Sequence, residues 1–347
     1  MSAPEPRASG APSANEEGGA RVARRILGGV LLGLAAYALL ALWADAASVG
    51  RALADFPLAL VPAAMALSFA NYAVRFVRWE LYRTQLGIRL DRKTSFLIHL
   101  SGLALTVSPG KMGEAFKSWL VRRVDGTPVA TSAPIVVAER FTDLLGFLVL
   151  IAIGGLATAP EYAWVFWATF ALCAALLAFV AWSPASAFAL AIARRLPVVR
   201  RFAPKLEEAL GSTRTLLAPS RIPLPTALAT FGWALECTAF WLVASALVPG
   251  GVPFLFAVYT FALAAVAGAV AIVFPGGLGI TEASMTALLS RRYAALGLPL
   301  ELAHSKAAAA TLVIRLCTLW FAVLLGVVAV VLFERRWRSI SSRAGAR

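Results

Sequence analysis

Apolar residues in this chain run in long, unbroken stretches rather than in the alternating pattern of a strand. The stretches at 26–46, 57–82, 131–157, 160–182, 223–248 and 306–333 approach or exceed the roughly 20 residues that a helix needs to cross a bilayer. A closed barrel would place polar residues at about every second position instead. The pattern therefore predicts an all-α polytopic membrane protein with about six full spans.

Two further segments, 94–124 and 253–296, are apolar but interrupted. Pro109, Gly110 and Gly113 break the first, and Pro275, Gly276, Gly277 and Gly279 break the second. Proline removes a backbone donor, and glycine permits dihedrals that end a helix. Each segment is expected to enter the membrane and turn back as a re-entrant hairpin. The stretch 254–274 is also long enough to cross fully, so the second hairpin has a spanning alternative.

Charge changes the picture in one respect. The chain is 60% hydrophobic and 14% charged, where soluble domains carry about a quarter charged residues. The net charge is +14, which in a soluble protein would suggest nucleic acid. Here the basic residues gather just outside apolar stretches, at Arg21, Arg24 and Arg25, at Arg83, Arg89, Arg92 and Lys93, and at Arg335, Arg336 and Arg338. The positive-inside rule accounts for them and excludes a nucleic-acid partner. It places both termini in the cytoplasm and the protein in the cytoplasmic membrane. Residues 1–24 are expected to be a disordered cytoplasmic tail, 25–335 the membrane domain, 184–222 a basic amphipathic connector on the membrane surface, and 336–347 a cytoplasmic tail. Arg291 and Arg292 fall outside in this scheme and fit it poorly.

The two broken segments resemble each other. Pro109-Gly110-Lys111-Met112-Gly113-Glu114 aligns with Pro275-Gly276-Gly277-Leu278-Gly279 and the Glu282 that follows, and Arg140 in 131–157 aligns with Arg315 in 306–333. Halves at 57–157 and 223–333, entering from opposite sides, make an inverted repeat. Transporters built this way bind their cargo near the midplane, at the broken helices.

The charges within the apolar stretches gather at the same places. They are Lys111, Glu114, Lys117, Glu139, Arg140, Asp143, Glu282 and Arg315. An ionisable group at the centre of a membrane helix costs about 2.5–3.5 kcal/mol on insertion scales, so these should pair or face a wet cavity. Glu139 and Asp143 are four apart on one helix face and can hold Arg140 or Lys117. Arg140 and Arg315 are candidates for contacting a phosphate, which a guanidinium fork matches. The alternative for Arg140 is an ion pair with Glu114 or Glu282 that only locks the fold. Helix N-termini after each break would add donors for an anion. Arg75, Arg78 and Trp79 either anchor the second span at the interface, with the arginines snorkelling, or form an entry gate for a lipid head group. Glu236 is either a buried partner for Arg315 or a proton-coupling carboxylate. Cys173, Cys237 and Cys317 lie in apolar stretches, and His99 and His304 are far apart, so neither a metal site nor a cofactor is expected. There is no phosphate-binding Gly-Lys-Ser/Thr loop and no soluble catalytic module, so the chain is not expected to be an enzyme.

The ordered set Arg75, Arg78-Trp79, Ser108-Pro109-Gly110-Lys111-Met112-Gly113-Glu114, Glu139-Arg140-Phe141-Thr142-Asp143, Phe274 through Glu282 and Arg315 resembles the lysylphosphatidylglycerol synthase transmembrane region, the flippase-like domain family. The resemblance covers about 25–335. It implies a domain that moves lipid between leaflets. In bifunctional relatives a separate soluble domain makes the lipid, and the chain, ending at Arg347, resembles stand-alone members without it. The resulting expectation is a lipid translocase whose partner is a polar-headed membrane lipid, such as an anionic phospholipid or a polyprenyl phosphate. One alternative is a non-transporting subunit that recruits a lipid-modifying enzyme or glycosyltransferase through 184–222. Another is an enzyme acting on a lipid phosphate with Glu139 or Asp143 as base, weakened by the lack of a nucleophile or metal cluster. The sequence leaves the oligomeric state open.

Overall fold

A computed structural model of the chain describes residues 46–107, 116–155, 163–181, 191, 195, 200–270 and 277–345. The expected 26–46 span up to residue 45 and the residues Pro109, Gly110, Lys111, Gly113, Glu114, Pro275 and Gly276 lie outside them. The described residues are 87% helical, without a strand. The first half contains α1 (Ala46–Ala54), α2 (Leu60–Gln85), α3 (Arg92–Ser101), α4 (Phe116–Asp125), α5 (Val129–Ser132), α6 (Pro134–Gly155) and α7 (Ala163–Ala181). After α8 (Ala203–Leu216) come α9 (Pro223–Leu247), α10 (Phe254–Val270), α11 (Ile280–Ala295), α12 (Leu300–Arg315) and α13 (Phe321–Gly345).

Four helical stretches are long and apolar enough to cross a membrane: Leu60–Gln85, Ala163–Val180, Pro219–Leu247 and Leu300–Trp337. They fall where the apolar pattern places spans. The expected span at 131–157 forms α6, whose 22 residues also suffice in length. It gathers three charges, Glu139, Arg140 and Asp143, within its first ten residues, and those charges must be kept from lipid. The last span is one continuous helical rod in which a π-helical turn, Leu316–Trp320, joins α12 to α13.

The sequence of α2 explains its orientation. Ser68, Asn71, Arg75, Arg78 and Tyr82 recur every three or four residues, and all five are buried. Phe69 and Val77, on other faces, are exposed. The helix therefore carries a polar stripe inward and an apolar surface outward, the reverse of a soluble amphipathic helix. Its stripe packs along α9. Phe240 and Val243 of α9, Phe261 of α10, Ile151 of α6 and Ile314 of α12 join one apolar core beside it.

The halves exchange partners. From the second half, α10 packs on α6 of the first, while from the first half α3 and its 3-10 extension Gly102–Leu105 pack on α13 of the second. Both contacts use a glycine where backbones meet, as close-packed membrane helices do. A Cβ on Gly154 would lie 2.7 Å from the Tyr259 amide nitrogen, and one on Gly326 would collide with the Ala104 backbone. Gly326→Val is accordingly expected to cost about 1–3 kcal/mol by overpacking. Thermal unfolding of the purified protein checks this, and an unchanged midpoint would refute so close an approach.

Polar ties hold the ends of these helices. Asp91 caps α3, accepting from the Thr94 amide at 3.0 Å, and Arg336 of α13 reaches both Asp91 and the Thr94 hydroxyl at 3.2 Å. Burial would raise the Asp91 pKa, but the Thr94 hydrogen bonds and Arg336 outweigh it and hold the carboxyl below its usual range. Arg123 of α4 pairs with Glu334 at 2.5 Å. Arg292, which fits the charge rule poorly, donates to the Gly251 carbonyl at 2.9 Å and lies over Phe256. Its place is explained by packing rather than by orientation. Within 184–222, the described part includes α8, which buries Ala203 and Leu216 and packs on α6.

Candidate functional site

The second break sets one wall of a central polar site. Helix α11 starts at Ile280, as the sequence predicts, after Gly277 and Gly279 adopt φ of 71° and 85°. Residues with a Cβ are strained there, which is why glycine stands at both. Glu282, in the first turn of α11, accepts from the Gly279 amide at 2.7 Å and from Arg315 Nε at 2.6 Å. One carboxylate thus caps a helix and fixes a guanidinium of α12. The π-helical turn that follows Arg315 leaves the Thr318 carbonyl facing Tyr72, whose hydroxyl donates to it at 2.6 Å. Such turns are frequent at functional sites.

The charged turn of α6 sets the opposite wall. Glu139, fully buried, pairs with Lys117 of α4 at 2.5 Å, and the Lys117 ammonium sits 4.7 Å over the Trp79 ring. Asp143 takes three partners: Arg78 at 2.7 Å, Arg140 at 3.0 Å and the Trp233 indole N–H at 2.9 Å. The two carboxylates therefore hold Lys117 and Arg140, as their spacing suggested, and Arg78 as well. Arg140 reaches Asp143 rather than Glu282, which Arg315 engages, and the alternative pairing with Glu114 lies outside the described residues.

Two expectations are corrected. Arg78 and Trp79 do not anchor α2 at the interface. Both are fully buried, with Arg78 on Asp143 and Trp79 donating to Ser95 at 3.0 Å. An arginine with a buried counter-ion has no reason to snorkel. Nor does Glu236 partner Arg315. It accepts from Asn71 Nδ2 at 2.6 Å, while Arg315 donates from Nε to Glu282.

Between these walls lies a cavity of about 310 Å³. Arg75 of α2, Arg140 of α6 and Arg315 of α12 all line it, with Asp143 and Glu236 as its acidic groups. Gly277 and Thr281 contribute from the second break, and Leu144, Phe147, Phe261 and Met285 make much of the rest apolar. Of the residues singled out in the sequence, Lys117, Glu139, Arg78 and Glu282 stand behind this lining and hold it in place. Arg75 differs from the other two arginines. Among the described residues it has no hydrogen-bond or ion-pair partner, its Nε is buried, and its guanidinium lies 5.9 Å over the Trp233 ring. Trp233, Tyr72 and Asn71 were not picked out in the sequence. The three-to-four spacing of polar residues along α2 was the signal for Tyr72 and Asn71, whereas Trp233 looks like any apolar residue of α9.

The cavity's walls fall within a region of known kind. The family model described as "Lysylphosphatidylglycerol synthase TM region" matches residues 30–326. The chain belongs to this family. The resemblance read from the ordered motifs is thereby borne out, and the lysylphosphatidylglycerol synthase TM region encloses every residue that lines the cavity. The chain is also 32% identical over 130 residues to the glycosyltransferase AglD of Haloferax volcanii. That match takes in 36% of this chain and 20% of AglD, so the aligned region spans about a fifth of that relative's length.

Proposed function

We propose that this chain is a lipid translocase of the cytoplasmic membrane that carries an anionic, phosphate-containing head group through the central cavity. The observation that carries this reading is the convergence of Arg75, Arg140 and Arg315 on one partly apolar cavity in whose lining, among the described residues, Asp143 and Glu236 are the carboxylates. Arginine forks in a water-poor site suit a phosphate, and the apolar remainder suits a lipid. In this reading the chain performs no chemistry on its cargo, and its termini are cytoplasmic. The segments 94–124 and 253–296 are its re-entrant hairpins, and 57–157 and 223–333 its inverted halves. The exchanged pairing of α10 with α6 and of α3 with α13 supports such a repeat, as does the placement of both Arg140 and Arg315 in the lining of one cavity.

Reconstitution in vesicles tests the proposal. The protein should move a labelled phosphatidylglycerol or polyprenyl phosphate between leaflets, and failure with every anionic lipid would overturn it. Arg140→Ala and Arg315→Ala should each slow transport by about tenfold or more, since a hydrogen bond to a charged group contributes ~1.5–3 kcal/mol. Both variants should remain folded, because Asp143 keeps Arg78 and Trp233, and Glu282 keeps the Gly279 amide. Transport rates unchanged by both would remove the arginines from the mechanism.

The likeness to a glycosyltransferase favours a second reading, in which the domain supports a sugar-transferring enzyme as a membrane subunit. Co-purification with such an enzyme, unaffected by Arg140→Ala and without lipid transport, would decide for it.

A further inference from the structure

A second cavity, of about 490 Å³, lies beside the first and is almost wholly apolar. Its walls come from α7, α10 and α11, with Ala168, Ala267 and Ala287 among the lining residues. These small side chains hold open a groove that leucines would fill. On the outer side stands α7, hydrophobic all round, with Trp164, Trp167, Phe170 and Leu176 exposed on its surface. A helix of that composition faces lipid. Two residues, Leu172 and Val270, line both cavities, and both are largely exposed, at 43% and 55%. The apolar groove therefore adjoins the arginine-lined cavity at these two side chains.

We propose that this groove holds a hydrocarbon chain of the lipid whose head group occupies the central cavity, entering and leaving between α7 and the α10–α11 pair. The inference rests on the translocase reading and deepens it. The cargo keeps its chain in apolar surroundings while its charged end crosses on arginines, which avoids exposing the chain to the polar cavity or the charge to lipid. Leu172 and Val270 form the sill over which the head group's linkage passes. The occupant is an apolar chain attached to a phosphate, which both a two-chain phospholipid and a polyprenyl phosphate supply.

Photo-cross-linking in vesicles containing the full chain tests this. Two probes are used: phosphatidylglycerol with a diazirine at the end of one acyl chain, and a polyprenyl phosphate with a diazirine at its distal isoprene. The probe that is transported should label α7, α10 and α11 at groove positions, and this identifies the source of the chain. Ala267→Trp, and the milder Ala287→Leu at an exposed position, should reduce both that labelling and transport. Binding of soluble glycerol phosphate, which has the charge and no chain, should persist in both variants. Labelling spread evenly over lipid-facing positions such as Leu324 and Val328 would overturn the proposal as annular lipid only. So would undiminished transport by both folded variants. Loss of glycerol phosphate binding in Arg75→Ala reports on the head-group reading by itself. If Arg75→Ala left transport intact while the groove variants abolished it, the head-group reading would fail and the groove would stand.

Discussion

Asp143→Ala is expected to cost about 3–5 kcal/mol of stability, the range for breaking a buried ion pair from one side. The size follows from what remains. Arg78 is fully buried and its ion pair is with Asp143. Without that carboxylate it becomes a cation in a low-dielectric interior. Arg140 is deprived of its 3.0 Å ion pair with the same group, and the Trp233 indole of its acceptor. Asp143→Asn preserves shape and one acceptor oxygen, so its cost should fall between that of Ala and none. Thermal or denaturant unfolding of the purified protein gives the measurement. The paired change Arg78→Met with Asp143→Leu should recover much of the stability, because a well-packed apolar pair avoids the desolvation cost altogether. An Asp143→Ala protein within about 0.5 kcal/mol of the parent, the scatter of ordinary surface changes, would show that the cluster is not the tie between α2, α6 and α9.

The cluster shows why the fold was more legible than the site. Spans at 57–82, 160–182, 223–248 and 306–333 follow from hydropathy alone, because a bilayer demands length and apolarity from every crossing helix. The start of α11 at Ile280 follows from local chemistry, since glycine and the acidic first turn act within a few residues. The pairings of charges do not follow, because they join residues far apart in the chain. Glu139 and Asp143 were bound to hold basic partners, yet that Lys117 goes to Glu139 and Arg78 to Asp143 is decided by how α2 and α4 lie against α6. Arg78 and Trp79 were misplaced for a related reason. An Arg-Arg-Trp group near one end of an apolar stretch matches an interfacial belt in composition. Only the polar stripe through Ser68, Asn71, Arg75, Arg78 and Tyr82, taken as a whole, reveals that it points inward.

The two kinds of arginine around the cavity divide stability from function. Arg78 has its carboxylate and is out of the cavity lining, whereas Arg75 lines the cavity and, among the described residues, has no ion-pair partner. It lies over the face of Trp233 instead. A cation over an aromatic face contributes about 0.5–2 kcal/mol, whereas a guanidinium at membrane depth costs ~2.5–3.5 kcal/mol on insertion scales. The second outweighs the first, so Arg75→Met should melt at the same temperature as the parent or higher. Transport should fall by about a hundredfold in the same variant, corresponding to ~3 kcal/mol for removing a charge-assisted hydrogen bond to the cargo. Stabilisation accompanied by reduced activity is the signature of a group kept for its ligand. Arg75→Lys retains the charge without the planar fork and should lie between the two. Vesicle transport assays and unfolding measurements on the same preparations provide both readouts. A destabilised Arg75→Met protein would mean that Arg75 holds the fold together. A folded one that transports at the parental rate would show that the cargo crosses the cavity without using this guanidinium.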